Sequence, residues 1–151
     1  FYTQMKNFEL LNSKGIKKLN LLLKVQFGSE FNFKDYLVFR TPKDKIYIIN
    51  REFGEYDFSK VRINNIGLYF LSIVKDGLRL SIDGSQLFEA KKNVLELDKE
   101  NFEMWMTGTD LNLELDNGYF LIKYKDEFLG CGKSTGIKVL NYVPKARRVK
   151  F

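Results

Sequence analysis

The stretch LGCGKSTGIKVLNYVPKARRVK, residues 129–150, decides the character of the second half of this chain. It contains a glycine-rich turn, an alternating strand pattern, and a proline followed by a basic tail. Six Lys or Arg and no Asp or Glu occur in residues 128–151, whereas residues 76–127 carry six Lys or Arg and twelve Asp or Glu. With a net charge of +6, this clustering predicts a C-terminal surface that faces a polyanion.

The tail after Pro144 is the most informative run. Proline fixes the local backbone and interrupts a strand ladder, so the chain changes direction there. If the tail is extended, Arg148 and Lys150 project from one face. Basic groups beside an aromatic ring suit single-stranded or loop RNA, in which phosphates give affinity and exposed bases stack. The alternative is a tail that only adds solubility. The candidate RNA contacts are Tyr142, Lys145, Arg147, Arg148 and Lys150.

Working outward, the rest of the second half alternates short strands with two short helices. Asp83 with Gln86 three residues on is typical of a helix start, and Asp98 predicts a cap for a second helix that ends at Gly108. Phe102, Trp105 and Met106 share a face of that helix and are expected in the core. The pattern predicts a small barrel or sandwich. Strands are predicted at 78–82, 94–97, 119–125, 128–132 and 137–143, with turns at 126–127 and 133–136.

The first half predicts an amphipathic helix followed by β-structure. Ser13 is the expected N-cap and Gly28 the expected stop. Strands are predicted at 36–40 and 45–50, joined by a proline-containing turn, then a polar connector at 54–59 and one or two strands at 61–74. Lys75-Asp76-Gly77 is a turn signal, and we place a domain boundary there. The predicted class is α+β, with domains at 1–76 and 77–151.

Composition excludes several kinds of active site. There is no His, which excludes a Ser-His-Asp triad and every His-ligated metal site. The single cysteine, Cys131, excludes an internal disulfide and a multi-cysteine zinc site, and fits a reducing cytoplasm. No apolar run reaches the roughly 18 residues needed to span a bilayer. No metal, cofactor or membrane partner is therefore expected.

Gly132-Lys133-Ser134-Thr135 imitates the end of a phosphate-binding loop. The full pattern needs a glycine at position 127, which is Glu127, and a helix after the Ser/Thr, whereas a strand pattern follows. A hairpin turn that exposes Lys133 to a backbone phosphate fits better. Cys131 is expected to be a buried strand thiol, and the scattered carboxylates to be solvated. The chain is therefore predicted not to be an enzyme.

The same C-terminal stretch resembles the end of PUA-type RNA-binding domains. It is especially similar to the PUA-like C-terminal extension of Sun-family RNA cytosine-5 methyltransferases. The first half resembles, more loosely, the pre-PUA domain of some ribosome-biogenesis factors. The resemblance implies a pre-PUA-like α+β domain followed by a small β-barrel-like PUA domain with short helices. It places RNA against Gly84 and Ser85 of a glycine loop and against Lys145, Arg147, Arg148 and Lys150, with Lys133 a looser inference.

These observations together predict a non-enzymatic protein that binds structured rRNA or tRNA through a basic C-terminal strand, in ribosome biogenesis or RNA modification. The alternative is a protein-interaction adaptor in ribosome assembly that does not recognise RNA directly. An RNA-modifying enzyme or an assembly factor is a further partner class that the sequence leaves open, as it leaves open the oligomeric state.

Overall fold

A computed structural model describes residues 8–52 and 67–151 and shows an α+β architecture with two sheets, which confirms the predicted class. A five-stranded antiparallel sheet has the order β1-β2-β3-β4-β5, and a four-stranded sheet has the order β6-β7-β8-β9, in which only β6 and β7 are parallel. The elements are β1 (Glu9–Leu10), α1 (Ser13–Phe27), β2 (Tyr36–Arg40), β3 (Lys45–Asn50), β4 (Leu68–Val74), β5 (Gly77–Leu80), α2 (Ile82–Leu87), β6 (Val94–Glu96), α3 (Lys99–Met106), β7 (Gly118–Tyr124), β8 (Glu127–Ser134), β9 (Val139–Leu140) and a 3-10 turn (Lys145–Arg147).

Helix α1 forms as its apolar spacing predicts, but its N-cap is Asn12 and not Ser13. The Asn12 side chain accepts a hydrogen bond from the backbone N–H of Gly15 at 2.9 Å, which satisfies a donor that the first turn leaves open. The helix ends at Gly28, whose φ of +80° favours glycine, as predicted. Its buried face is Leu19, Leu23 and Phe27.

The first sheet contains the two predicted strands 36–40 and 45–50, and the Lys75-Asp76-Gly77 turn joins β4 to β5. The predicted strand region 61–74 contains β4 from Leu68. Residues 61–66 of that region and the predicted connector at 54–59 lie outside the described residues. Strand pairing aligns Lys45 with Ser72 and Ser72 with Arg79, so three neighbouring strands hold these residues in one row.

Helix α2 is capped by Ser81, two residues before the predicted cap Asp83. The Ser81 hydroxyl accepts from the backbone N–H of Gly84 at 2.8 Å, and Asp83 lies in the first turn. Gly84 packs directly against strand β4, since a Cβ atom there would lie 2.0 Å from the carbonyl oxygen of Phe70. Glycine is therefore required for the close approach of α2 to the first sheet.

The second sheet surrounds Trp105, which is fully buried on helix α3. The predicted Asp98 cap is confirmed, with its side chain accepting from the N–H of Asn101 at 2.8 Å. Strand β7 separates two hydrophobic clusters. Leu121 belongs to the cluster shared with the first sheet and Ile122 to the cluster around Trp105, which explains why adjacent residues are both buried.

The C-terminus differs from its prediction in two ways. Strand β8 continues through Ser134, and β9 covers only Val139–Leu140 of the predicted strand 137–143. The basic tail is not a strand, because Lys145–Arg147 form a 3-10 turn closed by the N–H of Arg147 donating to Pro144 at 2.8 Å. The predicted basic C-terminal strand is therefore wrong at Lys145–Arg147. Arg148, which follows the turn, donates through Nε to the Val143 carbonyl at 3.1 Å.

The two sheets meet at β5 and β8. The backbone N–H of Leu80 donates to the Sγ of Cys131 at 3.3 Å, and Cys131 is buried as predicted. One hydrophobic cluster contains residues from both halves of the chain, including Leu23 and Leu121. The β4–β5 hairpin spans the predicted boundary between residues 76 and 77. The division into domains 1–76 and 77–151 stays a prediction.

Candidate functional site

A cavity of about 240 Å³ opens where the first sheet, helix α2, strand β8 and the C-terminal turn come together. We call it the junction cavity. Buried residues, Leu80 and Ile82 among them, form its floor, and its rim carries three cations, two tyrosines and one carboxylate. The lining residues are Lys45, Tyr69, Arg79, Leu80, Ser81, Ile82, Asp83, Leu129, Gly130, Cys131, Tyr142, Pro144 and Arg147.

Arg79 and Tyr142 form the centre of the rim. The guanidinium carbon of Arg79 lies 4.2 Å from the centroid of the Tyr142 ring, which is a cation–π contact. Both side chains are partly buried. Within residues 8–52 and 67–151, Arg79 forms no ion pair. A partly desolvated cation without a counter-charge favours an anionic ligand.

A second pair of the same kind lies beside the first. The Nζ of Lys45 is 5.2 Å from the centroid of the Tyr69 ring, and the Tyr69 hydroxyl is hydrogen-bonded to Ser72. Ser72 stands between Lys45 and Arg79 in the strand register, so the sheet fixes the separation of the two cations. Two adjacent tyrosine–cation pairs therefore line one wall of the junction cavity.

Arg147 completes the rim from the C-terminal turn. Its Nη1 lies 3.4 Å from Oδ1 of Asp83, and the two side chains are 46% and 52% exposed. A long ion pair between exposed groups contributes little, so a stronger anion can replace Asp83.

Cys131 in the floor is not reactive, because burial raises the pKa of its thiol to about 12 and keeps it protonated near neutral pH.

Lys133 lies elsewhere, in a cluster with Asp76 and Tyr119 that we call the Lys133 cluster. Its Nζ is 2.5 Å from Oδ2 of Asp76 and 5.6 Å from the centroid of the Tyr119 ring. The hydrogen bond to Lys133 lowers the pKa of Asp76 and raises that of Lys133, and burial with the Asp76 hydrogen bond raises the pKa of Tyr119 to about 12. All three groups already have partners.

The structure brings together only two of the predicted contacts, Tyr142 and Arg147. Lys145 and Lys150 are exposed beyond the cavity, and Arg148 turns toward the end of α3, where its Nε would lie 2.5 Å from a Cβ atom placed on Gly108. The predicted loop residues Gly84 and Ser85 are buried in the packing of α2 and do not line the cavity.

Ser85 has a structural role instead. Its hydroxyl donates to the carbonyl of Ile82 at 2.7 Å and accepts from the N–H of Gly130 at 2.9 Å, which ties α2 to β8. With a side chain that is fully buried and doubly hydrogen-bonded, this residue presents no atom to a ligand.

Sequence reasoning missed Lys45, Tyr69 and Arg79. The Lys75-Asp76-Gly77 turn fixes the pairing of Ser72 with Arg79, so their proximity could be predicted from the hairpin turn in the sequence. Lys45 comes beside Ser72 only through the pairing of β3 with β4. These strands are separated in sequence by residues 51–67, so no short turn motif predicts their register. The described part of the chain holds no cluster of potential metal ligands and no helix long and apolar enough to cross a membrane.

Comparison with known sequences identifies a related family and one curated relative. The family described as "Methyltransferase RsmF PUA domain" matches residues 92–149, which include Tyr142 and Arg147. The ribosomal RNA small subunit methyltransferase F of Aeromonas salmonicida (strain A449) is 30% identical over 106 residues. That alignment covers 68% of this chain and 22% of the relative, so the chain spans about a fifth of the length of the curated relative it matches.

These matches confirm the predicted resemblance to the PUA-like domain, whereas the looser resemblance of the first half to a pre-PUA domain stays a prediction. The chain contains a PUA-like domain related to the C-terminal extension of Sun-family methyltransferases. The junction cavity lies where this domain meets the first sheet, because Tyr142 and Arg147 come from the matched residues, whereas Lys45, Tyr69 and Arg79 precede them.

Proposed function

We propose that this chain is an RNA-binding module that acts in ribosomal RNA modification. The observation that carries the proposal is that the PUA match, residues 92–149, includes the basic turn whose Arg147 lines the junction cavity. The name of the Aeromonas relative supplies ribosomal RNA as the expected class, and transfer RNA remains the alternative substrate class. A cytoplasmic location and a partner among RNA-modifying enzymes or assembly factors stay predictions.

The proposed interface combines two kinds of contact. Lys145, Arg147 and Lys150 lie exposed on and after the 3-10 turn and are placed to neutralise phosphates, which supplies affinity independent of sequence. Arg79 and Lys45 extend the positive surface onto the first sheet. The proposed role is binding without catalysis, since the thiol of Cys131 is buried and protonated and Asp83, the carboxylate of the cavity, is half exposed.

A salt titration tests the proposal. A fluorescently labelled hairpin from small-subunit ribosomal RNA is titrated with the wild-type protein and with the triple variant Lys145→Ala/Arg147→Ala/Lys150→Ala at several salt concentrations. We expect weaker binding by the variant. Its log–log salt slope is expected to be flatter by about 0.7–0.9 for each phosphate that it no longer neutralises.

The control carries the same charge change on exposed positions of helix α1, Lys14→Ala/Lys17→Ala/Lys18→Ala. It is expected to keep the wild-type slope to within about half a unit, because these lysines lie outside the proposed interface. Equal slopes for the wild type and the C-terminal variant would contradict the assignment of RNA to this surface.

The adaptor function is the second candidate, and one observation favours it. Leu21, Leu22 and Val25 of helix α1 are 61%, 43% and 67% exposed, an apolar group that a protein partner could cover. Failure to bind purified ribosomal or transfer RNA, together with association with ribosome-assembly factors that survives nuclease treatment, would favour this function over RNA recognition.

A further inference from the structure

We propose that the junction cavity receives one unstacked nucleotide of the bound RNA, with its base on the apolar floor and beside Tyr142, and its phosphate between Arg79 and Lys45. This inference rests on the proposed RNA-binding function and names the part of the RNA that the cavity recognises. It assigns a site to residues of the first sheet that lie outside the matched PUA region.

The size and lining of the cavity fit a single nucleotide. Sites for drug-sized ligands span about 300–1,000 Å³, so a cavity of about 240 Å³ is suited to a smaller group. Leu80, Ile82 and Leu129 provide an apolar floor, and the cations stand on the rim. This division matches a nucleotide, which has an apolar base face at one end and a phosphate at the other.

Arg79 and Tyr142 provide the recognition chemistry. The Tyr142 ring and the guanidinium of Arg79 are planar groups on which bases stack, and they already lie in contact with each other at 4.2 Å. Arg79 has no carboxylate partner among the described residues, so its N–H groups are available to a phosphate oxygen. A base-paired helix cannot insert a base into such a cavity, which restricts the site to loops, bulges and single strands.

Asp83 sets the orientation of the nucleotide. Its carboxylate lies on the α2 side of the rim and repels phosphate, whereas Lys45 and Arg79 lie on the sheet, on either side of Ser72. The phosphate is therefore expected toward the sheet, and the base toward α2 and β8. The strand register holds Lys45 and Arg79 in place, and the packing of Gly84 against β4 holds helix α2 with Asp83. The site is therefore preorganised for the nucleotide.

The test compares two RNA hairpins that differ by one base. Both carry one unpaired nucleotide bulged from the stem. One kind carries a base at the bulge and is made in four versions, one for each base. The other kind has an abasic site at the same position. The number of phosphates is equal, so the affinity ratio between them reports the base alone. We expect the wild type to bind at least one base-containing hairpin about fivefold or more tightly than the abasic hairpin.

Variants place the effect at the cavity. Tyr142→Leu is expected to bring the ratio close to one, whereas Tyr142→Phe, which keeps the ring, is expected to retain it. Arg79→Met is expected to weaken binding of the base-containing and the abasic hairpin alike, because Arg79 contacts the phosphate that both carry. Thermal unfolding of each variant checks that the fold is intact. Because affinity for the abasic hairpin reports phosphate contacts, it serves as an internal measure of the proposed RNA-binding function.

The outcomes separate the two proposals. If neither hairpin binds, the proposed function fails. If both bind with equal affinity in the wild type, the cavity does not take a base and this inference is overturned, while RNA binding stands. Binding of uridine monophosphate at the cavity without any preference between the hairpins would also overturn it, in favour of a free nucleotide as the ligand.

Discussion

The cation–π contacts of Lys133 with Tyr119 and of Arg79 with Tyr142 lie near opposite ends of strand β5. Among the described residues, a carboxylate pairs with the cation in only the first of these two contacts. In the Lys133 cluster, the lysine lies over Tyr119 and is neutralised by Asp76 at 2.5 Å. In the junction cavity, Arg79 lies over Tyr142, and no carboxylate of the described residues pairs with it. The same local chemistry therefore serves stability at one end of the strand and leaves an open cation at the other.

This difference shows why a cation in a basic region is not by itself a binding residue. Lys133 belongs to the C-terminal basic stretch, yet its charge is already satisfied within the fold. Arg79 lies in the acidic stretch before it and is one of the cations that the fold leaves without a partner among the described residues. The pairing state of each cation, which only the tertiary structure gives, decides its role.

The largest effect is expected from forcing helix α2, whose Ile82 and Asp83 line the cavity, away from strand β4. Gly84→Ala places a Cβ atom 2.0 Å from the Phe70 carbonyl oxygen, a backbone atom that cannot move aside without shifting β4. We expect the free energy of unfolding to fall by about 3 kcal/mol, measured by urea denaturation.

The matched control is Gly15→Ala in helix α1. Its nearest contact would be at 3.4 Å, and alanine favours the helix by up to about 1 kcal/mol, so this variant is expected to be as stable as the wild type or more so. Similar stabilities for the two variants would show that α2 does not depend on its close approach to β4.

The next effect compares the two cation sites directly. Arg79→Met/Arg147→Met is expected to weaken binding of a ribosomal RNA hairpin about tenfold or more, which corresponds to about 1.4 kcal/mol, because it removes two cations from the rim. Lys133→Met is expected to change the affinity less than about twofold, since Asp76 already neutralises Lys133. Fluorescence anisotropy at low salt measures both, and weaker binding by Lys133→Met alone would reverse the comparison.

A smaller effect is expected from Asp83→Asn. The carboxylate of Asp83 competes with phosphate for Arg147 and adds negative charge to the rim. Its removal is expected to tighten RNA binding about twofold, an effect of a few tenths of a kcal/mol typical of exposed charges. Isothermal titration with the same hairpin measures the gain, and weaker binding by this variant would indicate that Asp83 itself contacts the RNA.

The smallest effect concerns the acid stability of the Lys133 cluster. The hydrogen bond to Lys133 lowers the pKa of Asp76, so its contribution is present above the unfolded-state pKa near 3.8 and disappears as the pH falls through the lower folded-state value. Asp76→Asn is expected to be less stable than the wild type at about pH 7 and equally stable at about pH 2. A stability difference independent of pH would show that the ion pair is not its cause.

Much of the fold is predictable because its signals are local. The period of Leu19, Leu23 and Phe27 and the cap at Asp98 depend on neighbours within one or two turns, and the structure confirms both. The strand predicted for the tail is wrong because the conformation there is set by distant contacts, such as the N–H of Val149 donating to Met106 at 2.9 Å.

The candidate site is less predictable for the same reason. The basic tail identifies Tyr142 and Arg147, whereas Lys45 and Arg79 become neighbours only through the order of β3, β4 and β5. Gly84 and Ser85 are predicted to contact RNA only because the family resemblance implies a glycine loop there, and that prediction has no local physical signal of burial to correct it. The structure instead uses the missing side chain of Gly84 for packing.

The most direct test of the central claim is a single NMR titration that observes both cation sites at once. A ribosomal RNA hairpin with a bulged nucleotide is added to labelled protein, and the side-chain Nε–H signals of Arg79 and Arg147 are followed with the backbone amides of Asp76 and Lys133. We predict large shifts for the two arginines and unchanged signals in the Lys133 cluster. Shifts at Asp76 and Lys133 with none at Arg79 would contradict the account.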